Sequence, residues 1–165
     1  MINALRPRLF VPSVFAIDMD RLWNQGVRGI IMDLDNTLVS WNHDEASADL
    51  MAWIVVAKHR PFRLCLVSNN LGARVDRFAS LLGVPAIPRA AKPRRRAFRR
   101  AMQLMGTEAQ STAVVGDQIF TDVLGGNRLK CYTILVAPLA EHEFWTTRLI
   151  RRVERFVWPA TGPRP

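Results

Sequence analysis

The sequence predicts an α/β fold: a parallel sheet of about five strands with helices on both faces. Three observations carry this. Apolar, β-branched runs alternate with segments of helical period, the pattern of consecutive βαβ units. The strand runs are nearly continuous in apolar residues, which suits strands covered on both faces. No internal repeat or linker divides the 165 residues, so a single domain spanning 1–165 can bury a full core.

Residues 1–25 read as an N-terminal arm, 26–140 as the core and 141–158 as a C-terminal helix. Within the core, the first strand is expected over 29–35. A helix over 46–59 follows, with Asp44 as its N-cap. The second strand is expected over 62–68. Val75, Phe78, Ala79 and Leu82 then mark one face of a helix. Residues 84–87 form a short third strand. Ala97, Phe98, Ala101, Met102 and Met105 mark the next helix face, with Pro93 suited to the first turn. The fourth strand covers 112–116. A short helix after Ile119 ends near Gly125 and Gly126, and 132–136 complete the sheet.

Composition narrows the function classes. Hydrophobic residues make up 49% and charged residues 22%, a soluble globular balance. No apolar run approaches the roughly 18 residues needed to cross a bilayer, and the first residues lack the apolar core of a signal peptide. Cys65 and Cys131 stand alone in apolar runs, as buried reduced thiols do, so a cytoplasmic setting is expected. The net charge of +9 points to an anionic partner: a phosphate ester, nucleic acid or an anionic membrane face.

The first strand ends in Asp33-Leu34-Asp35. Side chains two apart on a strand share a face, so both carboxylates would crowd one spot unless a cation compensates them. A strand followed by an Asx turn gives the same pattern. In open parallel sheets, ligands bind at the carboxyl ends of the strands. Read together, those ends carry Asp33, Asp35 and Thr37, then Ser68, Asn69 and Asn70, then Lys92, then Asp117 with Asp122 five positions on. Carboxylates around one hard cation suit Mg2+. An Asp can also attack phosphorus and form an acyl phosphate. Unaided phosphate monoesters demand rate enhancements up to about 10²¹-fold, and a covalent intermediate with a metal and a lysine is one way to supply them.

The run from Asp33 to Leu38 resembles the first motif of the haloacid dehalogenase-like (HAD) phosphatases. Ser68 resembles their second motif, Lys92 their third, and the run from Gly116 to Asp122 their fourth. Val67-Ser68-Asn69-Asn70 and Ala91-Lys92-Pro93 are similar to the YqeG-like group of subclass IIIA, over about residues 26–157. Lys130 departs from that pattern, which has Gly before the last strand. The resemblance implies a Rossmann-like three-layer sandwich with strand order 5-4-1-2-3. It also implies roles: Asp33 as nucleophile, Asp35 as general acid and base, and Thr37 as a support of the loop in the phosphate-binding set. Ser68 and Asn69 would hold the phosphoryl group and Lys92 would neutralise it. The Mg2+ set would be Asp33, Asp35 through its backbone carbonyl, Asp117 and Asp122. The group further resembles phosphatidylglycerophosphate phosphatases.

Members of this superfamily often carry a cap domain. Here Ser68 follows Leu38 by 30 residues and Lys92 follows Asn69 by 23, too few for one. An open site suits a phosphate on something large, or a small ester if an oligomer covers it. Residues 89–100 hold seven basic residues and no acid, several at a helix N-terminus where cations are unfavourable by ~0.3–1 kcal/mol each. They form either an anion-attracting surface or a solvated face. Over 143–158, Trp145, Leu149, Ile150, Val153, Phe156 and Val157 share one helical face opposite Arg148, Arg151, Arg152 and Arg155. That helix either contacts an anionic membrane or packs on the sheet. The expected activity is Mg2+-dependent phosphomonoester hydrolysis, on phosphatidylglycerophosphate or on a soluble ester or phosphoprotein. The remaining alternative is a non-catalytic anion- or RNA-binding module, although no specific nucleic-acid motif is present. Nothing in the pattern assigns an oligomeric state.

Overall fold

A computed structural model describes residues 2–139. The expected C-terminal helix, 141–158, lies outside the described residues. Six strands form one sheet: β1 (Leu9–Val11), β2 (Gly29–Met32), β3 (Arg63–Val67), β4 (Ala86–Ile87), β5 (Thr112–Gly116) and β6 (Tyr132–Val136). Their order is β1-β6-β5-β2-β3-β4, and every pair is parallel. The five expected strands therefore stand in the order 5-4-1-2-3.

β1 is the addition. The N-terminal arm supplies it, and it pairs Leu9–Val11 with Ile134–Val136 of β6. Asn127 Nδ2 ties the arm down further by donating to the carbonyls of Ala4 (2.9 Å) and Arg6 (2.8 Å). Three residues are too few for a strand to declare itself by alternation.

The helices are α1 (Met19–Asn24), α2 (Ala48–His59), α3 (Gly72–Leu82), α4 (Arg95–Met105) and α5 (Leu124–Asn127). Alternate residues of β2 point to opposite faces. Ile30 and Met32 join a core with Leu22, Leu50, Ile54 and Phe78 from α1, α2 and α3. Ile31 joins a second core with Phe98, Ala101 and Met105 of α4. The sheet is thus the middle of three layers. Cys65 and Cys131 are free and buried, and burial pushes their thiols up to about 12 and about 11. Among the described residues, no helix is long and apolar enough to cross a membrane.

Three local expectations are corrected. β2 stops at Met32, not residue 35, because the Leu34 carbonyl turns to accept from the amides of Leu38 (2.9 Å) and Val39 (3.2 Å). Ser47, not Asp44, caps α2, accepting from the Leu50 amide at 3.1 Å. Pro93 lies before α4 and not in its first turn, since the helix starts at Arg95 with Arg94 as N-cap. Lys130 has φ of 65°, the left-handed region that favours glycine, so the family's usual residue there has a backbone reason.

α4 and α5 meet where Phe98 covers Gly125. A Cβ at Gly125 would overlap the Phe98 ring, which is fully buried and has no room to yield. Gly125→Ala should therefore destabilise the fold by about 1–3 kcal/mol, read as a lower urea midpoint with an unchanged m-value.

Candidate active site

Lys92 is the centre of the site. Its Nζ donates to Asp33 Oδ1 and to Asp122 Oδ1, each at 2.7 Å, with all three side chains buried. Four connections leaving the C-terminal ends of the strands bring the parts together. Asp33 follows β2, and its amide donates to the Val115 carbonyl of β5 at 2.9 Å, fixing it to the sheet. Lys92 comes from the turn after β4. Arg89 and Ala91 there take φ of 49° and 52°, an uncommon conformation for residues with a Cβ. The Asn69 side chain clamps that turn, accepting from the Lys92 amide at 2.7 Å. Asp122 sits in a π-type turn, Ile119–Val123, after β5. Its carboxyl lies against Gly116, where any Cβ would overlap it.

The electrostatics are unbalanced. Asp33, Asp117 and Asp122 each offer an oxygen within 4.8 Å of the others, and they face one ammonium. Burial pushes Asp33 up to about 6; Lys92 opposes that shift and Asp122 adds to it. Burial, then the charges of Asp33 and Asp122, pushes Asp117 up to about 7. Burial alone would lower Lys92, but Asp122 and Asp33 outweigh it and hold its pKa above the ordinary value. Asp117 has no ion-pair partner among the described residues, and its carboxylate accepts from Thr37 Oγ1 at 3.2 Å. Three hard carboxylate oxygens, under-compensated and close together, fit a divalent cation such as Mg2+.

Asp35 lines the same cleft as Asp33 and has its own partners. Asn70 Nδ2 donates to its Oδ2 and Arg74 Nε to its Oδ1, both at 2.9 Å. Arg74 also donates through Nη1 to Asp44 Oδ1 (2.9 Å) and through Nη2 to the Ser40 carbonyl (3.0 Å). Asp35, Asn36, Ser68, Asn69 and Lys92 line a cleft of about 260 Å3 above Asp33. Ser68 is buried, and its Oγ accepts from the Asn70 amide at 3.1 Å. Thr37 is buried and donates to the half-buried Asp117; neither lines the cleft. The sequence pattern does not single out Arg74. The available signal was a cation in the first turn of a helix, where the dipole disfavours it.

The residues 89–138 match the family described as HAD-hydrolase-like. The probable phosphatase YqeG of Bacillus subtilis is 43% identical over 93% of this chain and 90% of its own. Phosphatidylglycerophosphate phosphatase 1, chloroplastic/mitochondrial, of Arabidopsis thaliana is 26% identical, over 96% of this chain and 49% of its own. Among solved structures, the cobalt-bound deoxy-D-mannose-octulosonate 8-phosphate phosphatase of Haemophilus influenzae aligns with a TM-score of 0.57 at 14% identity. That alignment covers 81% of this chain and 90% of the other, and it shows a shared fold.

The protein is a phosphatase of the HAD superfamily. Within that superfamily it belongs to the YqeG type, as its identity to the Bacillus protein establishes.

Two predictions come from this geometry. An unfolded Asp117 titrates near 3.8 and the folded one at about 7, so between those values only the folded chain holds the proton. Stability from this group is full below pH 3.8 and is lost as pH rises through 7. Asp117→Asn keeps the acceptor for Thr37 without the charge. In chelator above pH 7 it should melt higher than the wild type, and added Mg2+ should stabilise it much less than the wild type. Arg74→Met leaves Asp35 without its cation; kcat should fall about tenfold or more with little change in KM, measured on a soluble phosphate ester.

Proposed function

We propose that this chain hydrolyses phosphate monoesters through a phosphoryl intermediate on Asp33, with Mg2+, and that its substrate is membrane-presented phosphatidylglycerophosphate. The observation that carries the reaction is the buried Lys92 bridge between Asp33 and Asp122 beneath an open polar cleft. The substrate reading draws support from the plant relative's described activity, from the short segments between motifs, and from the basic character of the chain.

Asp33 attacks phosphorus through the carboxylate oxygen that Lys92 does not hold. Ser68 and the amide of Asn69 receive the phosphoryl oxygens. Asp35, protonated, gives its proton to the leaving alkoxide. It then takes a proton from the water that attacks phosphoryl-Asp33, restoring the carboxylate and releasing phosphate. Lys92 keeps Asp33 oriented throughout and offsets charge on the transferred group. Mg2+, held by Asp33, Asp117 and the Asp35 carbonyl with Asp122 beside it, would supply electrostatic stabilisation of the phosphoryl oxygens.

Asp33→Asn should retain the fold but lose turnover and the acid-stable phosphoryl enzyme that rapid quench of the wild type should trap; retained turnover would remove Asp33 from the nucleophile role. Chelation should stop the reaction and Mg2+ restore it. A panel of phosphatidylglycerophosphate in mixed micelles, a sugar phosphate, a nucleotide and a phosphopeptide tests the substrate. Preference for a soluble member would transfer the activity to the soluble-ester reading.

A further inference from the structure

The three most exposed large apolar side chains among the described residues are Phe120 (69%), Trp41 (67%) and Leu71 (65%). They are far apart in sequence, yet all three lie at the C-terminal edge of the sheet, on three connections that build the catalytic cleft. Trp41 is on the β2–α2 connection, directly after Ser40, whose carbonyl is held by the same Arg74 that holds Asp35. Leu71 precedes α3 and adjoins Asn70, which lines the cleft. Phe120 is in the turn after β5 and adjoins Thr121, another lining residue. A fourth connection on this edge, between β4 and α4, carries Arg89 and Arg94, and the first turn of α4 carries Arg95 and Arg96, all exposed.

We propose that Trp41, Leu71 and Phe120 form a membrane-docking rim that enters the interfacial layer of an anionic bilayer, with Arg89, Arg94, Arg95 and Arg96 against its headgroups. This rests on the reading of the chain as a phosphatase of membrane-presented esters, and it names the surface that delivers them.

Leaving three large apolar groups in water on one edge forgoes the gain of burying them, so a partner surface that removes them from water is favoured. Their arrangement selects its kind. They stand on separate loops around a polar cleft whose floor is buried Asp33. A protein partner is held by a continuous, well-packed apolar centre with a polar rim. Here the centre is polar and the apolar groups are peripheral. A fluid interface accepts each side chain separately, and Trp suits it because its ring carries a polar handle. The arginines add charge complementarity, since basic groups gather at anionic leaflets. A lipid phosphate monoester projecting from the surface would then face the cleft mouth directly.

The test is co-sedimentation of the full chain with phosphatidylcholine vesicles, with and without phosphatidylglycerol. Wild type should bind the anionic vesicles. The combined variant Trp41→Ser, Leu71→Ser, Phe120→Ser should lose about tenfold or more in vesicle affinity while keeping para-nitrophenyl phosphate turnover within about twofold. Arg94→Ala, Arg95→Ala, Arg96→Ala should weaken binding and flatten its salt dependence. If the triple apolar variant fails to fold by circular dichroism, Trp41→Ser and Phe120→Ser alone carry the same comparison.

No wild-type binding to anionic vesicles, or unimpaired binding of the rim variants, overturns the proposal. So does a parallel loss of soluble-ester turnover, which would make the rim structural. Conversion of a wild-type oligomer to monomer by the rim variants would assign the surface to a second copy and also overturn it. Asp33→Asn separates the two readings: it should dock like the wild type with no turnover. Docking without any wild-type turnover would sink the reaction alone, and turnover without docking would sink the rim alone.

Discussion

The Lys92 ammonium between Asp33 and Asp122 is the interaction on which the rest of this structure depends. Removing charges from water is costly, and only close partners make it tolerable. A single cation meets two carboxylates at 2.7 Å each, so small displacements of either acid are expensive. Several otherwise unfavourable features follow from that demand. Gly116 has no Cβ because the Asp122 carboxyl occupies its place. Arg89 and Ala91 adopt left-handed backbone so that the chain turns back and delivers Lys92. Asn69 spends its side chain on the backbone of Lys92, tying the second strand connection to the third.

Two acids close in sequence end up in separate electrostatic settings. Asp33 shares a buried cation with another acid and is pushed up to about 6, burial being the main cause. Asp35 sits at the cleft wall, held by one amide and one guanidinium from the first part of α3 and the residue before its cap. Different environments are how a site assigns different roles to chemically identical groups. Arg74 has a further effect: by reaching Asp44 and the Ser40 carbonyl it fastens the β2–α2 connection to α3.

Much of this was legible in the sequence because the relevant signals are local. Continuous apolar runs marked the five strands, and the polar residues that end them marked the site, since a parallel sheet aligns all those ends. The helix faces of α3 and α4 followed from spacing, and Phe78, Phe98 and Met105 are buried as that spacing requires. What was not legible depends on tertiary partners. Asp44 has the right chemistry for a cap, but two arginines of α3 compete for it, and Ser47 is better placed. β1 exists only because β6 offers it an edge. The end of β2 is set by a loop that draws on the Leu34 carbonyl, which no residue pattern announces.

The pairing of β1 with β6 fixes an order of events during synthesis. Among the described strands, β1 is made first and its partner β6 last. The hydrogen bond that the Arg8 amide donates to Thr133 Oγ1 spans 125 residues. Through most of translation β1 has no strand to join, and closing so long a loop is slow compared with forming the local βαβ units. Of the described strands, the one made earliest is therefore the last to be seated. When β6 emerges, its outer side is paired by backbone already made.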